Sequence, residues 1–192
     1  MPWGCRKTSV SRGQLSESGA NFTPQSSRGV ILCGSCSETT RQQIKAYDGP
    51  HFPVDVPSLM NGSVSAESVA TQLPAIDAPL IYSSADPESI KALQASFGAS
   101  ELAAQIESFF GELAVRLVGN GYHRLVVAGG ETSGAVVSAL QLTVFNIGPE
   151  IDPGVPALSN MEGTLAAALK SGNFGGEDFF SKALSMLEQH GE

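Results

Sequence analysis

Three stretches of this chain set glycine beside serine or threonine directly after an apolar run. They are Cys33-Gly34-Ser35-Cys36-Ser37, Ala128-Gly129-Gly130-Glu131-Thr132-Ser133 and Lys170-Ser171-Gly172-Asn173-Phe174-Gly175-Gly176. Glycine strips a turn of side chains, so backbone N–H groups can meet a ligand directly. A helix starting behind the turn adds unpaired amides, hydroxyls and its positive dipole end. That combination suits an anion, phosphate above all. The same residues also serve any strand-to-helix turn, glycine for its backbone and Ser or Thr as a cap. The central stretch is neither a Walker loop, for GGETSG has no lysine after its last glycine, nor the G-x-G-x-x-G of dinucleotide domains.

Other residues offer competing chemistry. Cys33-x-x-Cys36 stands at a strand-to-helix junction, where a depressed thiol pKa would permit redox exchange. Its default reading is a pair of reduced thiols, and a zinc site lacks the second C-x-x-C or H-x-x-x-H it would need. His51, His123 and His190 have no partner at ligand spacing. Glu150, Asp152, Glu177 and Asp178 could coordinate magnesium around a nucleotide, but such residues beside a Pro/Gly loop or in a first helical turn are ordinarily solvated or capping, so no metal ligand and no catalytic residue is assigned. Lys170 closes an apolar run just before a glycine turn, which offers its ammonium to a ligand at that edge; a plain surface lysine is the alternative.

The elements that must position these turns follow from patterning. Residues 29–33, 79–84, 125–128 and 164–170 are short apolar runs that read as strands, and 51–56 reads as an edge strand confined by Pro53 and Pro57. Helices are expected at 38–47 behind the cap Ser37, at 65–73, from Asp86-Pro87-Glu88 to near Gly98, at 100–118 and at 177–189. The most periodic is 100–118, with Leu102, Ile106, Phe109, Phe110, Leu113 and Leu117 on one side. A strand is expected at 142–147, then a rigid irregular loop or broken edge strand at 148–156, where Pro149, Pro153 and Pro156 stand with Gly148 and Gly154. Strands alternating with helices define an α/β fold, a layered and largely parallel sheet with helices on both faces. Ligands of such sheets gather at the carboxyl ends of strands, so the three turns are expected to converge.

The 192 residues suit one domain, 29–192, behind a disordered tail or linker at 1–28 whose apolar residues follow no period. A net charge of −8 without a basic stripe argues against nucleic acid or an anionic membrane as partner. No run is long enough to cross a bilayer, the first residues lack the apolar core of a signal peptide, and three cysteines are too few for a disulfide scaffold, so a cytoplasmic setting is expected.

Taken in order, GSCSETTRQQI, VVAGGETSGAVVSAL, IGPEIDPGVPAL and LKSGNFGGEDFF resemble the C-terminal nucleotide-binding domain of the four-carbon acid sugar kinase family, which includes 3-oxo-tetronate, D-threonate and D-erythronate kinases. The likeness covers residues 28–189. It implies ATP with Mg2+, bound at Ser35 or Ser37, at Gly129, Gly130, Glu131 and Thr132, and at Gly172 with Asn173. It further implies transfer of the γ-phosphate to a hydroxyl of a four-carbon sugar acid held by a separate N-terminal domain, which this sequence lacks. The chain is therefore expected to be inactive alone, and its self-association is left open. A thiol redox protein and a non-catalytic α/β interaction domain are the rival readings.

Overall fold

The computed structural model describes residues 21–83 and 87–189. Cys5, most of the expected tail, the expected helix cap Asp86 and His190 lie outside the described residues. In chain order the elements are β1 (Arg28–Cys33), α1 (Glu38–Ala46), β2 (His51–Pro53), α2 (Val56–Met60), α3 (Ala66–Gln72), β3 (Leu80–Tyr82) and α4 (Pro87–Phe97). They continue with α5 (Ala99–Gly119), β4 (Tyr122–Ala128), α6 (Gly130–Ala139), β5 (Phe145–Asp152), β6 (Val155–Asn160), β7 (Ala166–Lys170) and α7 (Phe179–Leu187).

The strands form one seven-stranded sheet in the order β2-β3-β1-β4-β7-β6-β5. It is parallel from β2 to β7 and antiparallel across β6 and β5. Alternation within the buried strands divides the core. Val30, Leu32, Leu125 and Val127 face α3, α5 and α6, where Phe109, Phe110, Leu113 and Leu117 fill the layer. Ile31, Cys33, Val126 and Ala128 face α1 and α7, against Ile44, Phe179, Phe180 and Leu187. Helices thus cover both faces, as the alternation of elements requires.

Of the two readings of 148–156, irregular loop or broken edge strand, the strand is the one found, and it turns back as a hairpin: β5 runs through Pro149 to Asp152 and β6 starts at Val155, with Pro153-Gly154 as the turn. Pro149 is tolerated because β5 is the sheet edge and the β5–β6 register slips between Ile147 and Glu150 and again before Asp152, while Pro156 stands in β6 just ahead of its ladder with β7, which begins at Ala157. The second half of the expected strand 51–56 is the start of α2, which Asp55 caps by accepting from Ser58 N. Finally, the chain is already bound to the domain before Arg28: Thr23 N donates to Ser159 Oγ at 3.1 Å, and Gln25 bridges Glu188.

The amino ends of the central strands are closed by Arg124, a buried guanidinium that reaches Asp77 at 2.9 Å, Glu188 at 3.3 Å and the carbonyl of Ser27 at 2.7 Å. The carboxyl ends are left open.

Candidate nucleotide-binding rim

β1, β4 and β7 are neighbours, and their last residues stand in one row across the sheet: Cys33 beside Ala128, and Ala128 beside Lys170. At the usual strand spacing the three turns therefore begin within about 10 Å of one another. Backbone bonds carry the sheet's pairing past the strands, with Gly34 N and Ser35 N donating to Ala128 O at 3.1 and 3.2 Å and Gly129 N donating to Lys170 O at 2.9 Å. The three turns are thereby one rim.

At its centre, α6 begins at Gly129 with φ of 127° and no side-chain cap. A side chain is disfavoured at that φ, and a Cβ would also lie 2.8 Å from Thr132 Oγ1 and 3.2 Å from Ser35 N. The first intrahelical donor is Ser133 N, bonded to Gly129 O at 2.8 Å. The N–H groups of Gly130, Glu131 and Thr132 consequently have no acceptor among the described residues. Neither Thr132 nor Ser133 caps the helix. Thr132 is buried and sets its hydroxyl against the Gly34 and Gly129 backbones, closing the first turn onto the second.

Ser37 caps α1, accepting from Thr40 N at 3.2 Å, and its hydroxyl donates to Gly172 O at 2.6 Å. Thr40 Oγ1 donates to the same carbonyl at 2.8 Å. Close approach makes glycine necessary at 172, where a Cβ would stand 2.5 Å from Ser35 Oγ and 2.9 Å from Ser37 Oγ. Farther along the turn, the fully buried Gln43 donates through Nε2 to the carbonyls of Phe174, Gly175 and Gly176 at 3.0, 3.0 and 2.9 Å. Asp152 accepts from Gly176 N at 2.9 Å and pairs with Lys182 at 3.2 Å.

The structure brings Ser35, Ser37, Gly129, Gly130, Glu131, Thr132, Gly172 and Asn173 to this rim. Lys170 differs from its expected place. Only 2 % exposed, it turns inward, its ammonium donating to Ser171 O at 3.0 Å and to Thr40 Oγ1 and Gly172 O at 3.2 Å. Burial pulls its pKa down to about 8. Of the acidic candidates, Glu150 accepts from Gly154 N and Asp178 pairs with Lys182, and no cluster of His, Cys, Asp and Glu able to hold a metal occurs among the described residues.

Sequence reasoning missed Gln43, whose amide has no signal in a polar helix. It also missed a groove of about 200 Å³ beside the rim, bounded by Gly34, Glu131 and Thr132 and walled by Leu93, Leu102 and Ile106 of α4 and α5. Ser83, 5 % exposed, lines it with a hydroxyl that has no hydrogen-bond partner.

A profile of a family described as "Nucleotide-binding C-terminal domain" matches residues 30–180. The chain belongs to that family. This nucleotide-binding domain is 45 % identical over 175 residues to a 3-oxo-tetronate kinase of Brucella melitensis, covering 88 % of this chain and 40 % of the relative. With a 3-oxo-tetronate kinase of Pseudomonas fluorescens it shares 44 % identity over 181 residues, 91 % of this chain and 42 % of the relative. A solved structure of a Haemophilus influenzae protein superposes with a TM-score of 0.77 at 40 % identity, over 88 % of this chain and 43 % of that one. The nucleotide-binding domain thus spans about two-fifths of the length of the curated relatives it matches, and it resembles the C-terminal domain of four-carbon acid sugar kinases.

Proposed function

We propose that this domain binds ATP with its triphosphate on the rim and its adenine in the adjoining groove. The bound nucleotide would be presented to a hydroxyl of a four-carbon sugar acid, of the 3-oxo-tetronate, threonate or erythronate type, held by a separate domain. The observation that carries this reading is the single row of three turns, with unpaired amides at the start of α6. Their donor set fits phosphate oxygens: amides, hydroxyls and a helix N-terminus, with no carboxylate turned on them by a hydrogen bond. The apolar walls of the groove and the unpaired Ser83 hydroxyl fit a flat heterocycle with polar edges.

Ser35, Ser37, Gly129, Gly130, Glu131, Thr132, Gly172 and Asn173 are the residues assigned to the nucleotide. Phosphoryl transfer needs positioning and charge neutralisation more than covalent help, and magnesium arriving with the nucleotide would neutralise its phosphates. This chain's residues hold and orient the donor, while the group that activates the sugar hydroxyl belongs to the other domain. No helix among the described residues is long and apolar enough to cross a membrane, and we place the chemistry in the cytoplasm.

A redox role for Cys33-x-x-Cys36 is disfavoured by the buried Cys33 thiol, which burial pushes up to about 12, away from the thiolate such chemistry needs. The test is calorimetric titration with magnesium ATP of the wild-type chain and of Gly130→Val. A Cβ at Gly130 meets nothing within 4 Å, so the variant keeps the fold and lays an isopropyl group on the rim. Saturable binding weakened at least about tenfold by the substitution is expected. No heat above dilution at millimolar nucleotide would refute the proposal.

A further inference from the structure

Lys170 is a charged residue that the proposed binding scheme leaves without a task. Its ammonium is buried, all its N–H groups are spent on the Thr40 hydroxyl and on the carbonyls of Ser171 and Gly172, and no carboxylate pairs with it among the described residues. A cation withdrawn from water without a counter-ion is costly, and proteins keep one only where something offsets the cost.

The direction of the peptides shows where that offset lies. In a trans peptide the C=O and the following N–H point opposite ways. With the carbonyls of Ser171 and Gly172 drawn in to the ammonium, the N–H groups of Gly172 and Asn173 are turned away from it, and neither has an acceptor among the described residues. The ammonium polarises these peptides so that their outer ends become stronger donors. They stand in the turn next to Ser35 and Ser37.

We propose that Lys170 is a positioning residue for the nucleotide, a buried counter-charge that shapes the third turn from beneath and whose missing anion is the triphosphate. The inference rests on the triphosphate occupying the rim. The groups facing Lys170 are the Thr40 hydroxyl of α1, the Cys33 thiol of β1 and the Phe179 ring of α7, whose centroid is 5.8 Å from Nζ. Cys33 is the titratable one and remains neutral through the range concerned. Ligand binding must therefore retain or capture a proton on Lys170 wherever the free protein has begun to release it.

The experiment is calorimetric titration of the full chain with magnesium ATP at pH 7, 8 and 9, each in two buffers of different ionisation enthalpy, for wild type and Lys170→Met. A terminal phosphate with its last pKa about 6 is already ionised at the two higher pH values, so proton uptake there reports the protein. Wild type is expected to take up about half a proton per ATP at pH 8 and nearly one at pH 9, its affinity falling toward tenfold per pH unit. Lys170→Met is expected to bind more weakly at pH 7, with no uptake and no pH dependence. Binding by wild type without proton uptake overturns the inference and leaves the triphosphate reading standing, as does uptake that persists in Lys170→Met. No binding at any pH brings down both. Should the variant fail to fold, the lysine ε-methylene NMR signal titrating near pH 8 in wild type decides: its midpoint must rise with ATP, and a fixed midpoint overturns the inference.

Discussion

Under the third turn two buried groups make opposite demands on pH. Lys170, held down to about 8, gives up in the folded chain a proton that the unfolded chain keeps to about 10.4, so it makes stability rise with pH between those values. Cys33, pushed up to about 12, keeps a proton that the unfolded chain loses above about 8.5, so it makes stability fall. The two cancel from about 8.5 to 10.4, and Tyr47, raised to about 12 chiefly by burial, adds a further fall above about 10. Urea denaturation of wild type should accordingly give a nearly level profile between pH 8.5 and about 10. Cys33→Ala should gain stability over that range and Lys170→Met should lose it, each by up to about 1.4 kcal/mol per pH unit. Parallel profiles for all three proteins would refute the assignment. At the same scale, Gly172→Ala must displace the Ser35 and Ser37 hydroxyls that its methyl would meet at 2.5 and 2.9 Å, and a loss of about 1–3 kcal/mol is expected from thermal unfolding. These residues also show what a string of letters conceals. The glycine turns were legible because glycine after an apolar run has few other uses, whereas the inward turn of Lys170 depends on Thr40 and Gly172, which only the fold brings beside it.

Among the elements, helices announced themselves best. The 3.6-residue period of α5 comes from packing one side on the sheet, and the Ser37 and Ser65 caps mark true helix starts. The β5–β6 hairpin was half legible, because its prolines suit a loop as well as a broken edge strand, and Pro149 is harmless only because β5 is the sheet edge. The α4–α5 groove was equally hidden, since Leu102 and Ile106 carry the same signal whether they face the sheet or a ligand. Two predictions belong here. Gln43→Leu leaves the carbonyls of Phe174, Gly175 and Gly176 without their donor, so the variant should lose about 2–3 kcal/mol, exchange its amides faster at 171–176 and bind ATP more weakly. Unchanged exchange in that segment would show that α1 does not hold the turn. Ala103→Trp fills the groove from exposed ground on α5 while leaving every residue of the rim unsubstituted. It should weaken ATP about tenfold while leaving inorganic tripolyphosphate unaffected in a competition assay, and equal losses for the two ligands would remove adenine from the groove.

For the molecule as a whole, one sheet does two separate jobs. Its amino edge is locked by Arg124 against Asp77, Glu188 and Ser27, while its carboxyl edge offers unpaired amides. On the proposed reading, that asymmetry holds the donor of a transfer reaction and leaves the acceptor outside, in keeping with a chain spanning about 40 % of the Brucella kinase it resembles. The last prediction follows from it. Alone, the chain should consume ATP no faster in the presence of 3-oxo-tetronate, threonate or erythronate than in their absence, as positioning one reactant forgoes most of the roughly 7–11 kcal/mol that juxtaposing both can supply. Joined to the N-terminal portion of a 3-oxo-tetronate kinase such as the Brucella relative, it should phosphorylate the acid that portion selects, and Gly130→Val in the joined protein should lower kcat/KM about tenfold or more. Transfer by the isolated chain, detected as a phosphorylated acid by 31P NMR, would show that the acceptor site lies within these 192 residues. Failure of the joined protein despite intact ATP binding would instead show that the rim presents its phosphate to a different acceptor.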